Sequence, residues 1–166
     1  VARSAQPSSG DTRRDAKKAP SPDPNQGTYC LILRLDKNRR IRVGRRPAWT
    51  FPQGTYVYVG SAMKNLSQRI ERHLGRKRQG KKLFWHIDFF REHATVMEVK
   101  TIRSNERLEC VLSRRLAERA DAEAVPLGFG ASDCRCRRHL HYFHEDPRPF
   151  LDSLWAEWDR PATGER

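Results

Sequence analysis

Two tyrosines stand beside glycines in this chain, in Gly27-Thr28-Tyr29 and in Tyr58-Val59-Gly60. A phenol with a free pKa of about 10 can act as a general base only where a nearby cation lowers it; otherwise it packs or hydrogen-bonds. Tyr56, two residues before Tyr58 on the same face of an extended strand, is the rival for a packing role. Arg69 and His73 are four residues apart. On a helix they project from one face with Cβ atoms roughly 5–6 Å apart. The Arg69 guanidinium can offer a planar fork to phosphate oxygens. A solvated basic face is the alternative, because Arg72, Arg76, Lys77 and Arg78 crowd nearby. His73 can assist proton transfer, bind phosphate or pack beside Leu74. His86, between Trp85 and Phe89, can be a functional group or a satisfied core histidine. Glu109 borders the apolar stripe Leu108, Leu112 and Leu116 on a wheel of about 100° per residue. One carboxylate, with phosphate and water, can hold Mg²⁺; from position alone an ordinary helix-surface glutamate serves as well.

Cys134, Cys136, His139 and His141 invite a zinc reading. Their Cys-x-Cys-x-x-His spacing is tight and unlike common structural zinc knots. No second Cys/His pair follows at an ordinary interval, and only Cys30 or Cys110 could approach in space. Zinc is therefore not expected. The segment reads instead as a wall of a cleft, from which Arg135, Arg137 and Arg138 reach phosphate.

These residues need elements to position them. Tyr29, Leu31, Leu33 and Leu35 alternate with Thr28, Cys30, Ile32 and Arg34, which is strand periodicity. Shorter strands follow at Arg40–Val43 and Trp49–Phe51, then a strand at Thr55–Gly60 rich in Tyr and Val. Leu66, Ile70 and Leu74 recur every four residues and predict a helix over 65–74. The run from Arg76 to Lys82, which includes Lys81, reads as a basic loop. A second helix is expected at 83–93, a strand at 95–103, and a third helix from an Asn105 cap to about Ala120. A loop over 121–133 leads to a short strand at 141–143, and Trp155 and Trp158 mark a last short helix. Residues 1–26 carry four prolines and no aromatic side chain, and read as a disordered arm. The expected organisation is thus an arm over 1–26, a domain over 27–144 and a tail over 145–166.

The 166 residues fit one compact domain with tails. Lys and Arg number 33 against 20 Asp and Glu, a formal charge of +13. That surplus favours a polyanionic partner, nucleic acid first. No apolar stretch approaches the ~18 residues of a membrane span, so no membrane role is expected. A soluble, intracellular, cytoplasmic protein is expected, and the four cysteines demand no oxidising compartment.

In their order along the chain, these motifs resemble the GIY-YIG nuclease superfamily. The first keeps Gly27 and Tyr29 with Thr28 for the central Ile; the second keeps Tyr58 and Gly60 with Val59 for Ile. Leu66 to His73 resembles that superfamily's arginine-bearing helix, with a histidine four residues later, and Glu109 follows inside a later helix. Trp85-His86-Ile87-Asp88 and Gly130 to Cys136 with His139 resemble a branch found alone or fused to endonuclease III-type DNA glycosylases. The resemblance covers roughly residues 27–144. It implies an α+β fold, a small mostly antiparallel sheet flanked by helices, with residues 36–54 as an extra hairpin. It implies a DNA endonuclease using one Mg²⁺ or Mn²⁺, with DNA repair as the setting and a repair glycosylase as a partner. Tyr29 would activate water, Tyr58 support it, Arg69 offset charge, His73 and His86 assist proton transfer, and Glu109 hold the metal. Arg72, Arg76, Lys77, Arg78, Lys81, Lys82, Arg135, Arg137 and Arg138 are the expected phosphate contacts. A module that binds nucleic acid without cutting it is the alternative.

Overall fold

The computed structural model describes residues 25–75 and 82–158. Most of the expected arm, and Arg76, Lys77, Arg78 and Lys81, lie outside the described residues. In chain order the elements are β1 (Gly27–Leu35), β2 (Arg39–Ile41), β3 (Trp49–Phe51), β4 (Gly54–Ala62), α1 (Leu66–Leu74), α2 (His86–Arg91), β5 (Thr95–Arg103), α3 (Glu109–Ala117), β6 (Leu140–Phe143) and α4 (Arg148–Trp158). The fold is α+β, as expected: a four-stranded antiparallel sheet in the order β5-β1-β4-β6, with β2 and β3 paired separately.

The alternation in β1 sorts its side chains into two cores. Tyr29, Leu31, Leu33 and Leu35 join Ile41, Phe51, Tyr56 and Phe90 on one face. Cys30 and Ile32 join Val57, Val59, Leu112 and Leu116 on the other. A central strand covered on both faces must be apolar on both, which explains why Cys30 and Ile32 replace polar residues there. Tyr56 takes the packing role. Its ring lies 4.8 Å from that of Phe90 and its hydroxyl donates to Pro52 O at 2.6 Å.

Several boundaries differ from the sequence expectation, the helix starts for identifiable reasons. The third helix starts at Glu109, not Asn105, because the Glu106 N–H bonds Ser104 Oγ and the Leu108 N–H bonds Thr28 Oγ1. Those bonds hold 104–108 as a turn. The second helix covers only His86–Arg91, because Asp88 Oδ2 accepts from the N–H groups of Phe84 and Trp85 and ends the extended approach there. In β6, pairing with β4 starts at Leu140 opposite Tyr58.

The β2–β3 hairpin inserts Ile41, Val43 and Phe51 into the first core. The Trp49 indole N–H reaches Ala124 O at 3.2 Å and Arg46 Nη1 reaches Leu127 O at 3.0 Å. The extra hairpin thus buttresses the loop that leads to Gly130. The last helix, α4, buries Leu151, Leu154 and Trp155 in the second core, and the Trp155 indole N–H bonds Thr101 O. Among the described residues no helix is long and apolar enough to cross a membrane.

Candidate active site

The register of β1 and β4 sets Tyr29 opposite Gly60, with Tyr58 opposite Leu31. The two phenol rings are 6.5 Å apart. A Cβ at position 60 would lie 2.6 Å from the Tyr29 hydroxyl, so the glycine of the second motif is the seat of the first motif's phenol. Gly60→Ala is expected to displace that ring and to cost about 1–3 kcal/mol of stability as an overpacked site, measured by chemical denaturation.

Both tyrosines face a cleft of about 380 Å³, which Arg69, Trp85, His86, Arg107, Glu109 and Asp133 also line. Arg69 and His73 come from α1. The start of that helix is capped from outside it: Asn25 takes the N–H groups of Leu66 and Ser67 through its carbonyl and side-chain oxygens. Arg69 lies over the Trp85 ring, 4.6 Å from its centroid, and reaches Ser61 O at 3.4 Å.

His73 is placed differently from expectation. It is 2 % exposed and does not line the cleft; it sits behind Tyr29, with Nε2 at 2.9 Å from the phenol oxygen. The helix face predicted from its spacing with Arg69 is right, but one turn further along that face is already under the phenol. Burial pushes the Tyr29 phenol far above its ordinary value, with Tyr58 adding to the rise and Arg69 opposing it. Burial likewise raises Tyr58, again opposed by Arg69. Both phenols therefore stay protonated as donors unless a proton can pass onward.

Glu109, the first residue of α3, is held by a directional chain. The Leu108 N–H donates to Thr28 Oγ1 at 3.0 Å, and Thr28 lies 2.6 Å from Ser61 Oγ. The Ser61 hydroxyl donates to Glu109 Oε2. Since the Ser61 proton goes to the carboxylate, the Thr28 hydroxyl must donate to Ser61. Arg107 Nη1 is 3.8 Å from Oε1. Thr28 and Ser61, which hold Glu109 in place, were not expected from the sequence; the signal for Thr28 was a hydroxyl at the apolar centre of its motif. Thr28→Val removes the acceptor of one buried N–H and the donor to Ser61 and is expected to cost about 1–3 kcal/mol, read from the denaturation midpoint.

His86 accepts the Gly130 N–H at Nδ1, 2.9 Å away. Burial, with Arg46 nearby, lowers its pKa. The neutral ring then carries its proton on Nε2 and acts as a donor there. Gly130 itself has φ 69°, and a Cβ there would meet the Tyr58 ring at 3.0 Å. Asp133 lines the cleft and was also missed.

The expected phosphate contacts are sorted by the fold. Arg72 pairs with buried Asp88 at 2.8 Å and lies over Trp85, which makes it part of the scaffold of the cleft. Lys82 is exposed. Arg135 and Arg137 are exposed but do not line the cleft. Arg138 is buried, and burial lowers its pKa; its place beside His141 on a separate cavity corrects the expectation that it reaches phosphate in the cleft.

The structure also bears on the Cys/His segment. Cys110, from α3, meets Cys134, Cys136 and His139, and their ligand atoms all lie within 4.8 Å of one another. The partner missing from the tight local spacing comes from a helix 24 residues earlier. Burial, with Cys136 and Cys134 adding, holds the Cys110 thiol well above its ordinary value. Three sulfurs and an imidazole suit zinc and not Mg²⁺.

Fold and site together define an α+β domain with a cleft lined by two phenols, two guanidinium groups and two carboxylates. A family model described as "Domain of unknown function DUF123" matches residues 28–157, and the chain belongs to that family. No curated protein and no solved structure matches it.

Proposed function

We propose that the protein is a metal-dependent endonuclease that hydrolyses DNA phosphodiester bonds, using one Mg²⁺ or Mn²⁺. The observation that carries this reading is the meeting of Tyr29, Tyr58, Arg69 and Glu109 on one cleft, in the order by which the sequence resembles GIY-YIG nucleases. Phe84, 73 % exposed at the cleft, and half-buried Trp85 add aromatic surface on which bases can stack. The formal charge of +13 favours the polyanion.

Glu109 would hold the ion. Its carboxylate is a hard oxygen donor, and Ser61 fixes one oxygen while Arg107 Nη1 lies 3.8 Å from the other. That fits Mg²⁺ or Mn²⁺, which take oxygen ligands and keep several waters. When bound, such an ion supplies charge stabilisation at a phosphoryl oxygen and lowers the pKa of water. The Arg69 guanidinium offsets charge building on the phosphate. Tyr29 takes a proton from the attacking water on its oxygen as its own proton passes to His73 Nε2. This relay avoids the free phenolate that burial disfavours. Tyr58 orients the same water or phosphate by donating, and His86 can donate from Nε2.

A second reading, a module that holds nucleic acid without cutting, draws on the burial that keeps both phenols protonated. Incubation with nicked, flap, abasic and branched DNA separates the two. Cleavage that requires Mg²⁺ or Mn²⁺ is the expected result; binding without cleavage on every substrate would favour the module. The DNA-repair setting, beside a glycosylase, rests on the resemblance alone.

A further inference from the structure

The strongest unassigned feature lies beside the cleft. Cys110 on α3 and Cys134, Cys136 and His139 on the loop before β6 turn their ligand atoms to one point, with no pair of these atoms more than 4.8 Å apart. Cys134 Sγ is 3.4 Å from His139 Nε2, and Cys110 Sγ is 4.0 Å from the same nitrogen. Zn–S bonds of about 2.3 Å and a Zn–N bond of about 2.0 Å set the ligand atoms of a tetrahedral centre roughly 3.5–3.8 Å apart. The Cys134–His139 pair already sits near that spacing, and atoms at the 4.8 Å limit would close by about 1 Å around an ion. All three cysteines are free thiols. A disulfide between any two would strand the third thiol and the imidazole, whereas one divalent ion uses all four groups.

We propose that these four residues form a structural Zn²⁺ site that clamps the loop to α3. Four protein ligands close the tetrahedron and leave no position for substrate, which is the mark of a structural centre. Among the described residues the loop is otherwise held by main-chain bonds, Gly128 N–H to Arg137 O, His139 N–H to Phe129 O and Val59 N–H to His139 O, and by His86 Nδ1, which accepts the Gly130 N–H. None of these reaches α3. Ser113 Oγ does bond the Arg138 carbonyl and His141 from α3, but at the β6 end of the loop. The ion supplies the tie at the cleft end.

That location gives the clamp a consequence. Cys110 directly follows Glu109, and Cys134 directly follows Asp133. Both carboxylates line the cleft, as does His139. The zinc site thus sets the separation of two walls that each carry an acidic side chain.

Elemental analysis of the protein purified without chelators is expected to find zinc in stoichiometric amount. Replacement by Co²⁺ is expected to give the intense visible bands of a tetrahedral, thiolate-rich centre. Cys110→Ser and Cys136→Ser are expected to lose stoichiometric zinc. Should either variant fail to fold, the Co²⁺ spectrum of wild type still decides the ligand set. Removing zinc from wild type with a chelator is expected to speed amide hydrogen exchange across residues 128–139, a readout of the clamp itself. The absence of stoichiometric metal, an iron–sulfur chromophore, a Co²⁺ spectrum without thiolate charge transfer, zinc retained in both serine variants, or exchange unchanged by zinc removal would each overturn the proposal. No DNA enters these measurements, so they stand or fall apart from the nuclease reading.

Discussion

Glu109→Gln is expected to lower metal-dependent DNA cleavage by at least about 100-fold, the scale on which removal of one transition-state stabilising group is felt. The substitution is chosen for what it leaves in place. An amide oxygen still accepts the Ser61 hydroxyl, so the chain from Leu108 through Thr28 to Ser61 stays intact. What is lost is the negative charge that would hold the ion. DNA binding, carried by the basic surface, is expected to remain or to tighten slightly as one anionic group leaves the cleft. Raising the Mn²⁺ concentration should recover part of the rate, because the defect lies in metal affinity. Single-turnover cleavage at several Mn²⁺ concentrations, with binding measured in parallel, checks all three expectations. A rate equal to wild type would remove Glu109 from the mechanism.

Tyr29→Phe is expected to lower cleavage by about 100- to 10,000-fold, the range for a positioned general acid or base. The ring keeps its seat on Gly60 and its place in the core, and only the oxygen is removed. With it goes the 2.9 Å contact to His73 and, with that, the proposed route for the water's proton. The stability cost should be that of one hydrogen bond, about 0.5–1.5 kcal/mol. A melting curve therefore separates a lost relay from a lost fold. Tyr56→Phe is the matched control. It forfeits a similar buried bond, to Pro52 O, but its hydroxyl is outside the cleft, so its cleavage rate should stay near wild type. Equal losses in the two variants would mean that stability, and not chemistry, explains the effect of Tyr29.

Some of this arrangement is legible in the chain because it depends on periodicity. Alternation from Thr28 to Leu35 is enough to place Tyr29 with Leu31 and Leu33, and the four-residue recurrence of Leu66, Ile70 and Leu74 is enough to set Arg69 and His73 on one helix face. Periodicity tells which side of an element a residue occupies. It does not tell what waits on the other side. Whether His73 enters the cleft or slides beneath a phenol depends on how α1 crosses β1. The Thr28–Ser61 contact depends on the register of β1 against β4, which sets these two residues opposite each other across 33 positions of sequence. The start of α3 was misread for the same reason. Asn105 is a good local cap, but the amide of Leu108 is claimed by Thr28 from a distant strand. Arg138 looks like its exposed neighbours Arg135 and Arg137 until the fold buries it beside α3, where Ser113 Oγ donates to its carbonyl. Cys110 and Cys30 are equal candidates to approach the Cys134–His139 segment until the packing of α3 selects Cys110.

The central claim is that the phenol of Tyr29 and the carboxylate of Glu109 serve one reacting phosphate. A double-mutant cycle tests it most directly: single-turnover cleavage by wild type, Tyr29→Phe, Glu109→Gln and the double variant, on the DNA that wild type cuts best. Groups that act as one catalytic unit are strongly non-additive. The predicted result is a double variant close to the slower single variant. Losses that simply multiply, or full cleavage in either single variant, would contradict a shared centre.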